Sequence, residues 1–137
     1  MDIQSLNQQR LASLFPPLVK AGNQFIADCA SAGVTVLITQ GLRTWAQQDA
    51  LYAQGRTAPG KIVTNAKGGQ SYHNFGLAFD IVPIDANGQP IWDTTKNQWK
   101  ICHTIGDLHP GSADTSLDPA LIASIISQDL DPFLNLL

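Results

Sequence analysis

In the stretch SYHNFGLAFD, Ser71 to Asp80, a histidine and an aspartate stand seven residues apart at the mouth of an apolar run. Imidazole nitrogen and carboxylate oxygen together make a donor set suited to zinc, and a catalytic zinc takes three protein ligands and keeps one position for water. Asp80 falls inside LAFDIV, where an ionised carboxylate is costly to bury unless it is paired, hydrogen-bonded or bound to a metal. His73 lies just before Gly76, in a turn that folds back toward the following strand. A lone histidine is more often structural and a lone aspartate more often solvated, so the setting, not the residue types, makes this pair a candidate. All eleven acidic residues are aspartates, which restricts any general base to Asp or His.

The elements that must position these groups are legible from periodicity. Leu11, Leu14, Phe15 and Leu18 form a helical stripe that resumes at Phe25, Ile26 and Cys29, with Pro16 and Pro17 between the two parts. The pattern predicts two helices, roughly 3–15 and 17–31, the second with a first-turn proline and an exit at Gly33. VTVLITQ reads as a strand ending at Gly41-Leu42-Arg43. Thr44 and Gln47 have the spacing of a capping box, predicting a helix over about 45–54 with Gly55 as its stop. Arg43 is thereby expected at a strand-to-helix junction on the rim of a sheet. A long polar loop over 55–70, a strand LAFDIVPI, an Asn-Gly turn with a returning strand PIW, and a helix over about 95–106 follow. Asp118-Pro119 then opens a further helix, and the chain ends in the apolar run DLDPFLNLL, expected to pack on the domain or to serve as an oligomer interface.

At 137 residues the chain is expected to be a single domain over 1–137. A net charge of -3 with scattered Lys and Arg offers no field for a nucleic-acid backbone. Cys29 and Cys102 lack metal-site spacing and read as buried free thiols. The N-terminal segment has no basic region followed by an apolar one, and no run approaches the length of a membrane span. The expectation is cytoplasmic synthesis without a signal peptide and no membrane insertion.

SYHNFGLAFD matches S-x-H-x-x-G-x-A-x-D at all five specified positions, and in this it resembles the LAS-type (M15) zinc peptidases. QGLRTWAQQDALYAQGRT upstream is similar to the L-alanyl-D-glutamate endopeptidase branch, which includes phage endolysins, and the resemblance runs over roughly residues 5–100. It implies an α+β fold with N-terminal helices packed on a small, mainly antiparallel sheet, the LAS/Hedgehog-type peptidase fold. The C-terminus of this chain, read as helical, is atypical of that fold. The resemblance further implies Zn2+ as cofactor, a peptidoglycan stem peptide as substrate and action on the cell wall. His73 and Asp80 would be zinc ligands, Ser71 would support the site through a hydrogen bond, and Arg43 would face the substrate carbonyl or a carboxylate with Gln48 beside it.

These peptidases end their site with an acid three residues before a histidine, and no D-x-x-H occurs in this sequence. The nearest approximation is GDLHPG, where Asp107 would be the base and His109 the third ligand. In a strand, residues two apart share a face, whereas in a helix they diverge. Three readings stay open: a divergent site that uses His109, a decayed site, or a chain whose C-terminal part has been replaced. The functional expectations are accordingly an endopeptidase, a D-Ala-D-Ala carboxypeptidase using the same site, or a catalytically lapsed wall-binding or interaction module.

Overall fold

The computed structural model describes residues 2–108. They form the expected α+β arrangement: α1 (Ile3–Leu11), α2 (Pro16–Ser31), β1 (Thr35–Gln40), α3 (Trp45–Ala53), β2 (Asp80–Ile84) and α4 (Asn97–Leu108). A 3-10 turn at Tyr72–Phe75 precedes β2, and the two strands form one antiparallel sheet. His109, the helix expected after Asp118 and the apolar run at 129–137 lie outside the described residues.

Helix α1 begins at Asp2, whose carboxylate accepts from the Ser5 amide at 2.8 Å. It stops at Leu11, short of the predicted 15, because Phe15 precedes a proline and is driven to extended backbone (φ -54°, ψ 131°). Phe15 thus becomes the cap of α2, with Pro16 and Pro17 in the first turn. Leu14 leaves the helix and still reaches the core beside Leu11, Leu18, Phe25 and Cys29. Phe25 meets Phe79 across that core, ring centroids 6.5 Å apart.

The sheet pairs Thr35 with Ile84, Leu37 with Val82 and Ile38 with Ile81, then slips so that Gln40 faces Asp80. Val36, Ile38, Val82 and Ile84 are buried. Two strands leave β1 with an open edge, and α1 closes it. The buried amide of Asn7 donates to the Val36 carbonyl at 2.8 Å and accepts from the Ile38 amide at 2.7 Å, as a neighbouring strand would. Arg10 adds a bond to the Ile38 carbonyl.

The returning strand of the expected hairpin does not form. Asp85 closes a turn with Gln89, and beyond it only one bridge, Ile84 to Pro90, and one bond, Ile91 amide to Pro83 carbonyl at 2.8 Å, join the arms. Pro83 and Pro90 have no N–H to extend a ladder. Trp99 of α4 instead ties this arm down, its indole donating to the Ile91 carbonyl at 2.7 Å. Helix α4 packs on α2, with Cys29 and Cys102, both free and buried, in mutual contact. The bond to Cys102, then burial, push the Cys29 thiol above the ordinary range. No helix among the described residues is long and apolar enough to cross a membrane.

Candidate metal centre

Four segments converge on Asp80: the bulged end of β1, the junction into α3, the 3-10 turn and the start of β2. The junction is set by the capping box, in which the Thr44 hydroxyl accepts from the Gln47 amide at 3.1 Å and the Thr44 amide donates to Gln47 Oε1 at 2.9 Å. The 3-10 turn is tied to that junction through the backbone, where the Arg43 amide donates to the His73 carbonyl at 2.9 Å. Gly76 then reverses the chain at φ 68°. A Cβ there would stand 3.0 Å from the Phe15 amide nitrogen, which itself donates to the Gly76 carbonyl. This position of the motif therefore needs glycine for both its backbone angle and its clearance.

His73 Nε2 lies 3.2 Å from Asp80 Oδ2, yet Nε2 is buried and makes no hydrogen bond. The two atoms are close without the alignment a hydrogen bond needs. Two donors about 2.0–2.1 Å from one tetrahedral zinc are separated by about 3.3 Å, so this pair has the spacing of two ligands of a common ion. A histidine nitrogen and a carboxylate oxygen are also donor types that zinc takes. Among the described residues no group of three His, Cys, Asp or Glu side chains converges on a point. Asp107 is exposed in the last turn of α4. His103, on the same helix, is exposed and stacks loosely on Trp99 with ring centroids 6.2 Å apart.

Arg43 completes the cluster from the other side. Its Nη2 is 3.5 Å from Asp80 Oδ2, its Nη1 donates to Gln48 Oε1 at 2.9 Å, and its Nε is buried without a partner. Gln48 is only 1% exposed and is fully engaged: its amide nitrogen donates to the Ala66 carbonyl at 2.8 Å and approaches Thr64 Oγ1 at 3.4 Å. It therefore reaches the site through Arg43, and it also moors the long loop. Arg56 holds that loop from its other end, donating to the carbonyls of Tyr52 and Thr64 and to Asn65 Oδ1, with its guanidinium 4.0 Å from the Tyr52 ring centroid.

Ser71 stands half-buried at the start of the 3-10 turn, its amide donating to Asn74 Oδ1 at 3.3 Å. Asn74, a variable position of the motif, was not singled out by the sequence, and it is the most heavily bonded side chain of the region. The residue in that place carried no signal beyond its type. Trp45, which opens α3, and Tyr72 and Phe75 of the 3-10 turn are exposed.

Comparison with known proteins places this geometry in context. The profile of the VanY family, described as D-alanyl-D-alanine carboxypeptidase, matches residues 12–106. The chain is also 44% identical over 90 residues to the peptidoglycan L-alanyl-D-glutamate endopeptidase CwlK of Bacillus subtilis (strain 168), a match covering 65% of this chain and 54% of that protein. The chain thus spans about half the length of that relative.

Proposed function

Because the chain belongs to the VanY family of D-alanyl-D-alanine carboxypeptidases, we propose that it is a zinc-dependent peptidase of peptidoglycan stem peptides, cutting as an L-alanyl-D-glutamate endopeptidase does. The observation that carries this reading is the buried, unbonded His73 Nε2 set 3.2 Å from Asp80 Oδ2. In the proposal His73 and Asp80 hold the metal with His109 as third ligand. Zinc held there supplies Lewis acidity toward an amide carbonyl and acidifies water toward a pKa of about 7.

The rest is done by the chain's own groups. Arg43 spends one Nη1 N–H on Gln48 and sets Nη2 3.5 Å from Asp80, and its remaining Nη N–H groups can donate to the carbonyl oxygen as negative charge develops there. In the proposal Asp107, at the exposed end of α4, is the base that takes the proton from the attacking water and returns it to the departing amine. Ser71 holds the 3-10 turn, and in the proposal the exposed Trp45, Tyr72 and Phe75 offer the stem peptide apolar surface. Acting on the wall follows from the substrate.

A second reading, a catalytically lapsed wall-binding module, is favoured by the lack of a third converging donor among the described residues. Purified peptidoglycan incubated with zinc-loaded protein separates the two. New amino-terminal D-glutamyl groups support the endopeptidase, and released D-alanine redirects the proposal to a carboxypeptidase. Wall binding without any new termini overturns the enzyme reading.

A further inference from the structure

Asn74 is 9% exposed, and every hydrogen-bonding position of its side-chain amide is used. Its oxygen accepts from the Gly69 amide at 3.0 Å and the Ser71 amide at 3.3 Å. Its nitrogen donates to the Arg43 carbonyl at 2.9 Å and the Thr44 carbonyl at 3.3 Å. Two N–H partners on one side and two carbonyls on the other fix the orientation of the amide, since a flipped group would set donor against donor.

The identity of the four partners is what gives this side chain a role beyond general support. Gly69 and Ser71 lead into the turn that presents His73, and Arg43 and Thr44 form the junction that presents the guanidinium. The amide therefore bridges the two backbone segments whose side chains meet at Asp80, parallel to the single backbone bond from the Arg43 amide to the His73 carbonyl. The Thr44 carbonyl also receives the first bond of α3 from Gln48, so the same clamp sets the helix that carries Gln48 toward Arg43.

We infer that Asn74 is a positioning residue that holds the Arg43 junction in register with the His73 turn, so that guanidinium and imidazole meet at Asp80. The consequence for turnover rests on the peptidase reading above, whereas the consequence for Arg43 itself does not. Removing the clamp leaves both functional side chains in place but lets their backbones drift, and a displacement of about 1 Å costs on the order of 100-fold in rate.

Asn74→Asp is the test, because it keeps the acceptor facing Gly69 and Ser71 and turns the donor facing Arg43 and Thr44 into a second acceptor. Val82→Ala, a core change remote in kind, serves as the control for lost stability. The variant is expected to lose about 100-fold in kcat with KM within about threefold of wild type, while zinc stoichiometry is kept. Adding Arg43→Ala to Asn74→Asp should cost no more than about twofold beyond Arg43→Ala alone, since both changes remove the same placement. Hydrogen exchange of the Arg43 guanidinium, followed by nitrogen-15 NMR, should accelerate about tenfold in Asn74→Asp and not in Val82→Ala, the worth of one hydrogen bond to a local opening. If Asn74→Asp does not fold, Asn74→Ser is read by the same three measurements. Multiplicative losses with Arg43→Ala, or guanidinium exchange no faster than in Val82→Ala, would overturn the inference. Should the wild type release nothing from peptidoglycan, the peptidase reading fails, and guanidinium exchange still decides the role of Asn74.

Discussion

Replacing Gln48 by methionine keeps the length and volume of the side chain and removes its amide, which makes the change a direct measure of what that amide does. Two bonds of good length are lost, from Arg43 Nη1 at 2.9 Å and to the Ala66 carbonyl at 2.8 Å, and the 3.4 Å approach to Thr64 adds little. A bond involving a charged donor contributes about 1.5–3 kcal/mol and a neutral one about 1 kcal/mol, so Gln48→Met should cost about 2.5–4 kcal/mol. For a domain of this size that is a fall in Tm of about 10 °C, measured by circular dichroism against a urea titration whose slope should not change. Turnover on purified stem peptide should fall by about 10- to 100-fold in kcat, because Arg43 loses the partner that fixes its guanidinium. KM should stay near its wild-type value, because a side chain 1% exposed does not meet the substrate. An unchanged Tm with a raised KM would refute this reasoning and return Gln48 to direct substrate contact.

Asn7→Ala should destabilise the fold by about 2–5 kcal/mol, because it leaves the Val36 carbonyl and the Ile38 amide buried and unpaired; urea unfolding that matches wild type would show the β1 edge to be solvated instead. At free zinc 100 times its dissociation constant, bound metal stabilises the protein by about 2.7 kcal/mol, so a chelator should lower Tm in the wild type and leave His73→Ala unmoved; equal chelator shifts in both would sink the site. His109→Ala should weaken zinc binding by about tenfold or more and His103→Ala should not, as read by competition with a chromogenic chelator. Cys29 and Cys102 should resist an aromatic disulfide reagent in native protein and both react in denaturant, because both are buried; prompt native labelling would contradict the α2–α4 packing. The Asp2 carboxyl is held below its ordinary value by the Ser5 amide, so its support of α1 is present above the ordinary value of 3.8 and is lost as pH falls through the folded value. The Ser5 amide should accordingly lose protection from exchange in acid, and Asp2→Ala should abolish that pH dependence.

The parts of this fold that were legible in the sequence are those specified by local chemistry. Thr44 and Gln47 announce α3 by mutual capping, and they thereby place Arg43 at the junction where it is found. His73 and Asp80 are legible as a pair because the intervening Gly76 has a backbone reason to be there. The end of α1 is read too late because a hydrophobic stripe continues through Leu14 and Phe15, while the backbone restriction imposed by Pro16 acts on Phe15 first. The missing return strand is the same lesson in the sheet, where Pro83 and Pro90 outweigh a favourable turn at Asn87-Gly88. Asn7 and Asn74 were not legible at all. Each acts on residues about thirty positions away, and an asparagine in a helix or turn gives no sign of a distant partner.

The two asparagines also explain why the zinc-like pair is formed by residues of the first 108 alone. Asn7 fixes the outer edge of β1, the strand whose slip between Ile38 and Gln40 sets Asp80 opposite Gln40. Asn74 and the Arg43 amide fix the turn that presents His73 against that same strand end. Both donors are thus delivered by backbone that hydrogen bonds and a buried core hold in place. Burial of His73 Nε2 without a hydrogen bond is then a cost that the core sustains, and in the proposed function a bound cation would repay it. A site prepared in this way binds tightly only when a further donor closes it, because two ligands leave the ion half in water. In the proposed function the affinity of His73 and Asp80 for zinc would therefore depend on a donor supplied by His109, which is why the His109 substitution tests catalysis as well as binding.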